Sequence, residues 1–240
     1  MAIHLISDLH LSDETPELKQ LLLSTLAAWS GRIDALYILG DLFEYWVGDD
    51  DDNPFIQDMV SALAQFSART PLHVMRGNRD FLLGAGFAAR SGAQLQEDPA
   101  LLEHGGRRYL LSHGDALCRD DLPYQQFRAL SRQPAWQQAM LARPLAERHA
   151  IARQARAQSE TQKLAQGMHP ISDVSDSAVL ELLEQYDWPI LIHGHTHRPA
   201  CHEIGKGERR SQRWVIADWH DAHGAYLRLD DDGLQSLPLG

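Results

Sequence analysis

The chain has 240 residues, 44% of them hydrophobic and 23% charged, enough apolar material for the core of one large domain and too much for a disordered chain. Its formal net charge of -11 argues against a long nucleic acid as partner, which needs a basic face, but allows a small anion if a metal or a local arginine cluster supplies positive charge. Cys118 and Cys201 form no paired pattern, the polar start Ile3-His4-Leu5-Ile6-Ser7-Asp8 is no signal peptide, and no apolar run approaches ~20 residues, so a reduced cytosolic protein is expected rather than a secreted or membrane-spanning one.

Short apolar runs ending in polar clusters punctuate the chain. Ile3 to Ile6 leads into Ser-Asp-Leu-His, and Pro16 to Trp29 follows as a helix, with Leu18, Leu21, Leu22 and Leu26 at a 3.6-residue period. Ala35 to Leu39 leads into Gly-Asp; after the acidic run Asp49 to Asp52, expected to be a solvated loop, a second helix is expected over Pro54 to Ala68. Leu72 to Met75 leads into Arg-Gly-Asn-Arg-Asp, Gly105-Gly106 marks a hairpin, and Tyr109 to Leu111 leads into Ser-His-Gly-Asp. Pro189 to Ile192 leads into His-Gly-His-Thr-His, and Arg213 to Ala217 reads as a further strand. Sharply terminated apolar runs alternating with helices predict buried strands in a layered α/β fold. Ligands in open α/β sheets lie outside the carboxyl ends of strands, so the five polar clusters are expected to converge there.

Residues 119–163 differ, with eight Lys or Arg against four acids in an acidic chain. Pro134 and Pro144 are placed to start helices, giving about three helical pieces that carry Tyr124, Phe127, Leu130, Trp136, Met140, Leu141, Leu145 and Ile151. The stretch reads as a helical insertion over the strand-end site; on composition alone, a packed helix with a solvated face is the preferred reading.

Asp8 and His10 are two residues apart, so continued strand geometry would put both side chains on one side, as two ligands of one ion require. Asp41, Asn78, His113, His195 and His197 repeat the theme at four other strand ends. Carboxylate, imidazole and amide oxygen without thiolate suits manganese, iron or zinc and speaks against a structural zinc site. Seven ligands exceed one tetrahedral ion and fit two divalent cations ~3.5 to 4 Å apart, the arrangement used for in-line displacement at phosphorus. Asp41, at a central strand end, is the expected bridge.

Asp8-x-His10, Gly40-Asp41, Gly77-Asn78, His113 and Gly194-His195-Thr196-His197, all present in order, resemble the calcineurin-like metallophosphoesterases. The resemblance implies a sheet-and-helix core, one ion on Asp8, His10, Asp41 and His197, and a second on Asp41, Asn78, His113 and His195. Many such phosphoesterases have a histidine after the Gly-Asn pair that can protonate a leaving alkoxide; here Arg79 stands there. Arginine stays charged and can bind phosphate oxygens bidentately, and a phosphate leaving group, with a second pKa of about 6, needs no proton. A phosphoanhydride is therefore the expected substrate class, with Asp41, Asn78, Arg79, His113 and His195 as the catalytic set.

The segments Tyr37 to Glu44, Gly77 to Gly84 and Ile192 to Pro199 are similar to the UDP-2,3-diacylglucosamine pyrophosphohydrolase family of lipid A biosynthesis, and the likeness runs over essentially the whole chain. It implies attack of metal-activated water on the α-phosphate, with UMP and 2,3-diacylglucosamine 1-phosphate as products; manganese is the expected identity of the two divalent cations. It also implies a core of residues 1–118 and 171–240, with residues 119–170 a lid for sugar phosphate and acyl chains. Substrate contacts implied by similarity are Asn78, Arg79, Asp121, Tyr124, Arg156, Ser159, Lys163, Gln166 and His195; Gln166 departs from the lysine frequent in the family, which puts the register around Lys163 and Gln166 in doubt. A monomer drawing a lipid-linked nucleotide sugar from the cytoplasmic face of the inner membrane, by peripheral contact, is the expected setting.

His193 is expected to pack or hydrogen-bond rather than ligate, and His4, His73, His104, His149, His169 and His202 read as ordinary surface or core residues. Asp115 either orients His113 or simply makes a turn with Gly114. Two other readings fit parts of the pattern: a calcineurin-like hydrolase of a water-soluble nucleotide pyrophosphate or phosphodiester, which needs no apolar lid, and a non-catalytic interaction module, which would be expected to have lost ligands.

Overall fold

The computed structural model describes residues 2–165 and 173–239, with residues 158–165 described by their backbone only. In chain order the elements are β1 (Ile3–Ile6), α1 (Pro16–Trp29), β2 (Ala35–Leu39), α2 (Pro54–Ser67), β3 (Leu72–Met75), α3 (Ala85–Ser91), β4 (Gln94–Gln96), β5 (Ala100–His104) and β6 (Arg107–Ser112). Then follow α4 (Leu122–Ser131), α5 (Pro134–Leu141), α6 (Leu145–Ala165), α7 (Asp176–Gln185), β7 (Ile190–His193), β8 (Ala200–Lys206), β9 (Arg209–Val215), β10 (Gly224–Asp230) and β11 (Gly233–Leu239). All five apolar runs form strands, and both expected helices form, each with proline in its first turn where the missing N–H costs nothing. The hairpin at Gly105-Gly106 joins β5 to β6, both glycines lying in the left-handed region.

The strands form two sheets, ordered β11-β10-β1-β2-β3-β4 and β5-β6-β7-β9-β8. Parallel pairing unites β1 to β4 in one and β6, β7 and β9 in the other. Side chains alternate across each strand, so each sheet has two apolar faces to bury. Ile3, Leu5, Leu39 and Met75 meet Tyr109, Leu111 and Ile192 between the sheets. The opposite face of the first sheet, with Ile6, Leu36, Ile38 and Val74, is covered by α1, α2 and α3. The opposite face of the second, with Leu110 and Leu191, is covered by α7. The result is four layers, helix, sheet, sheet and helix, and truncating a fully buried Leu36 or Leu191 to alanine would cost about 2–5 kcal/mol.

Two sheets rather than one modify the expectation drawn from open sheets. The carboxyl ends of β1, β2 and β3 meet those of β6 and β7 across the sandwich, and backbone bonds seam the loops together: Leu9 N and His10 N donate to Asp41 O at 2.9 and 3.0 Å, and Gly194 N to His113 O at 3.0 Å.

The expected helical pieces are α4, α5 and α6. Met140 is buried, and Trp136 and Ile151 pack against the helix-covered core, whereas Leu122, Phe127, Leu130 and Leu141 remain exposed. Buried Arg148 of α6 donates to Val47 O at 2.6 Å and to Asp50 Oδ1 at 2.7 Å. The reading of Asp49 to Asp52 as a solvated loop is corrected at Asp49 and Asp51, whereas Asp50 and Asp52 are exposed as expected. Asp49 accepts from Trp46 Nε1, Gly84 N and Gly86 N, and buried Asp51 faces His149 at 3.3 Å. Partly buried amides and a buried guanidinium require acceptors, and the acidic run supplies them.

Candidate metal centre

Asp8 and His10 lie beyond the end of β1, and the reason they face one space is not strand alternation. Asp8, His10, Asp41, His195 and His197 all adopt left-handed backbone, with φ of 57°, 48°, 51°, 66° and 53°. Each loop turns sharply after its strand and aims a donor back across the strand ends. Such conformations cost a non-glycine residue roughly 1–2 kcal/mol and persist where surrounding structure over-determines them. Two glycines permit the close approach: a Cβ at Gly77 would stand 2.0 Å from Asp41 Oδ1, and one at Gly194 would stand 2.0 Å from Ser7 Oγ and 2.2 Å from Asp8 Oδ2.

The structure brings all seven expected ligand side chains together. Asp8, His10 and His197 offer donor atoms within 4.8 Å of one another, as do Asp8, Asp41 and His113. Asp41 Oδ2 lies 4.0 Å from His10 Nε2, and its Oδ1 3.6 Å from His113 Nε2. Asn78 Oδ1 sits between His113 Nε2 at 3.0 Å and His195 Nδ1 at 2.8 Å. His113 Nδ1 lies 2.8 Å from Leu39 O, which fixes the proton there and turns the Nε2 lone pair toward Asn78 and Asp41.

Two features fit this set to cations. Asp8 Oδ1 is buried without a hydrogen-bond partner, facing His197 Nε2 at 3.5 Å. His10 Nε2 and His197 Nε2 face each other at 3.3 Å, a contact that two lone pairs tolerate only with a proton or cation between them. The charges reinforce the point. Burial is the strongest influence on His113 and opposes its protonation, yet Asp41, Asp8 and Asp115 raise it to about 9. Burial, helped by the charge on His113, pushes His195 down to about 3. Burial works most strongly against charge on Asp8, but the contact with His197 and the neighbouring imidazoles hold it well below the usual carboxylate range. The carboxylates thus attract positive charge to a buried site.

Beside this centre, Arg79 N donates to Asp41 Oδ1 at 2.8 Å and Arg79 Nη1 lies 3.3 Å from Glu44 Oε1. Tyr124 stacks on His195, centroids 6.0 Å apart, while its hydroxyl donates to Asp115 Oδ2. Asp121 caps α4, its Oδ1 accepting from Tyr124 N at 3.1 Å. Arg156 reaches Glu44 at 3.3 Å and Glu14 at 3.7 Å. Gln166 and His169 lie outside the described residues, and Ser159 and Lys163, on α6, are described by their backbone only. His193 is buried, its Nδ1 2.8 Å from Gly194 O and its Nε2 accepting from Arg213 Nη1 at 3.1 Å, remote from ligation.

Several residues around the centre were not singled out from sequence. Asp80 is fully buried, its Oδ1 accepting from Gly77 N at 2.7 Å and its Oδ2 from Leu42 N at 2.8 Å; burial, with Asp41, pushes it up to about 6. Glu44 and Asp218 face His10 and His197, and Arg132 donates to Gly77 O at 2.9 Å. Glu44 left one trace in the sequence, an acid inside the run Leu42-Phe43-Glu44-Tyr45-Trp46 where packing favours an apolar residue. Asp115 is no mere turn residue. Its Oδ2 accepts from Tyr124, from Arg128 Nε at 2.9 Å and from Arg132 Nη2 at 3.5 Å, all three on α4 or at its C-terminal end.

A four-layer fold whose strand ends present clustered carboxylate, imidazole and amide oxygen donors defines a metal-dependent phosphoesterase. The model of the calcineurin-like phosphoesterase family matches residues 1–199, and the chain belongs to that family. Over full length it is 68% identical to a UDP-2,3-diacylglucosamine hydrolase of Chromobacterium violaceum, covering 100% of each chain. Relatives of the same name are 48% identical in Aromatoleum aromaticum, over 97% of this chain and 95% of the relative, and 42% identical in Bordetella pertussis, over 98% and 94%.

Proposed function

We propose that the chain hydrolyses the pyrophosphate bond of UDP-2,3-diacylglucosamine, water attacking the α-phosphate to give UMP and 2,3-diacylglucosamine 1-phosphate in lipid A biosynthesis. The observation that carries this reading is the full-length 68% identity to a hydrolase of that name in a chain that has all seven donors. Asp8, His10, Asp41 and His197 would hold one divalent cation and Asp41, Asn78, His113 and His195 a second. Manganese is our choice, since the donors are hard or borderline and none is a thiolate. Such cations make a nucleophile of water at neutral pH and neutralise phosphate oxygens.

The chain's own residues divide the remaining work. Arg79 keeps its charge and binds phosphate oxygens, and the phosphate leaving group departs without a proton donor. Residues 119–170 act as a lid on a core of residues 1–118 and 171–240, with Asp121, Tyr124, Arg156, Ser159, Lys163 and Gln166 contacting substrate. Exposed Leu122, Phe127, Leu130 and Leu141 beside the arginines of the insertion support peripheral contact with the cytoplasmic face of the inner membrane. No helix among the described residues is long and apolar enough to cross a membrane. We take the working unit to be a monomer with no nucleic-acid partner.

The test is turnover of UDP-2,3-diacylglucosamine by metal-stripped protein, with and without manganese, in oxygen-18 water. Manganese-dependent release of labelled UMP is expected. Cleavage of other phosphate esters but not of this substrate would retain the metal centre and discard the lipid assignment.

A further inference from the structure

The inward faces of His10 and His197 carry the proposed ligand atoms, and their outward faces are matched. His10 Nδ1 lies 3.4 Å from Glu44 Oε2, and His197 Nδ1 lies 3.5 Å from Asp218 Oδ2. The two Nε2 atoms, 3.3 Å apart, point at one another beside Asp8 and Asp41. A carboxylate opposite Nδ1 favours the tautomer with its proton there, which leaves Nε2 with a lone pair for a cation and resists rotation of the ring.

Neither carboxylate is placed as a ligand of the centre by the sequence reading, and Glu44 is firmly held. Glu44 is buried, and its Oε1 lies 3.3 Å from both Arg79 Nη1 and Arg156 Nε, so two guanidiniums anchor the oxygen that His10 does not face. Asp218 also faces His220 Nδ1 at 3.4 Å. The contacts to His10 and His197 are electrostatic rather than hydrogen bonds: His10 Nδ1 is buried and has Glu44 as its facing charge but no hydrogen-bond partner. They come from loops far apart in the chain, Glu44 after β2 and Asp218 after β9.

We propose that Glu44 and Asp218 are positioning residues, each fixing one imidazole of the centre with Nε2 turned inward. The inference rests on the metal-centre reading above, and it assigns no substrate contact to either residue. It also gives Arg79 and Arg156 a second consequence. By holding Glu44 they link the anion-binding side of the site, and helix α6, to the orientation of His10.

The test is manganese binding to the full, metal-stripped chain, free manganese being read by electron paramagnetic resonance, so that turnover does not enter. E44A and D218A are each expected to weaken binding about 10–100-fold. E44Q and D218N, which keep an acceptor but lose the charge, should fall between these and the parent. Nitrogen-15 spectra of histidine-labelled, metal-free chain should show His10 shift from the Nδ1–H tautomer in E44A, and His197 do so in D218A. D41A serves as the reference. Loss of binding in D41A with parent affinity in both E44A and D218A would overturn the positioning role alone; parent affinity in D41A as well would overturn the metal centre itself. Asp218 is partly exposed, so D218A still decides the matter if E44A fails to fold.

Discussion

Removing the Asp115 carboxylate should loosen α4 from the rest of the fold at one identifiable joint. Asp115 is fully buried, and its Oδ2 takes a hydrogen bond from Tyr124 and contacts from Arg128 and Arg132, while Oδ1 has no hydrogen-bond partner. Burial opposes its charge most strongly, but His113, Arg128, His195 and Arg132 hold the carboxyl well below the usual range, so it is anionic in the fold. Breaking a buried ion pair from one side costs about 3–5 kcal/mol, because the partners lose their counter-charge. Here both arginines are about one quarter exposed and water can recover part of the loss, which puts Asp115→Ala near 3 kcal/mol. For a chain of this size each kcal/mol lowers Tm by about 2–4 °C, so a fall of about 6–12 °C is expected. The assay is thermal unfolding of metal-free protein, paired with hydrogen exchange, where protection in α4 should fall more than in α1. A drop below about 3 °C with α4 protection unchanged would mean that the joint contributes little.

Gly77→Ala would force a Cβ against the Asp41 carboxylate and backbone, neither of which can retreat, so loss of manganese binding and destabilisation by at least about 1–3 kcal/mol are expected from calorimetry and melting. His4 lies remote from the centre among Trp29 and Tyr226, and burial, with Arg228, pushes it down to about 4 from an ordinary 6.5. The unfolded chain therefore binds the extra proton first; the stability held above pH 6.5 is lost as pH falls toward 4, by about 3 kcal/mol in all. His4→Phe should flatten that portion of the stability–pH curve in urea titrations, and an identical slope in both proteins would contradict it. Arg148→Met should raise exchange and proteolysis in α6 while leaving α1 protected, since Arg148 ties α6 to Val47 and Asp50.

Much of the centre was legible because its signal is local. Each apolar run is short enough to be a strand, and each ends within three residues of a proposed metal ligand, so strands and candidate ligands emerge together. Tertiary partnerships were not legible. Asp8 and His10 were expected to share a side through strand alternation; they do so through left-handed backbone beyond β1, which two-residue spacing cannot reveal. Asp49 to Asp52 looked like a solvated acidic run because composition does not show that the Gly84 and Gly86 amides and Arg148 arrive there from other elements. Glu44 and Asp218 belong to no spacing pattern with His10 and His197, being 34 and 21 residues away, and only the fold brings them within reach. Ordered strand ends also leave open whether they belong to one sheet or two, since facing apolar layers look alike in a linear pattern.

The left-handed turns at Asp8, His10, Asp41, His195 and His197 place the centre in tension with the durability of its own scaffold. Glycine at any of these positions would relax a conformation costing roughly 1–2 kcal/mol. A laboratory lineage selected for heat resistance alone should therefore discard donors here early, drifting toward a hardier protein with no chemistry. One selected for turnover must keep all five strained turns and find its stability elsewhere, in the layers between the sheets and beneath the helices.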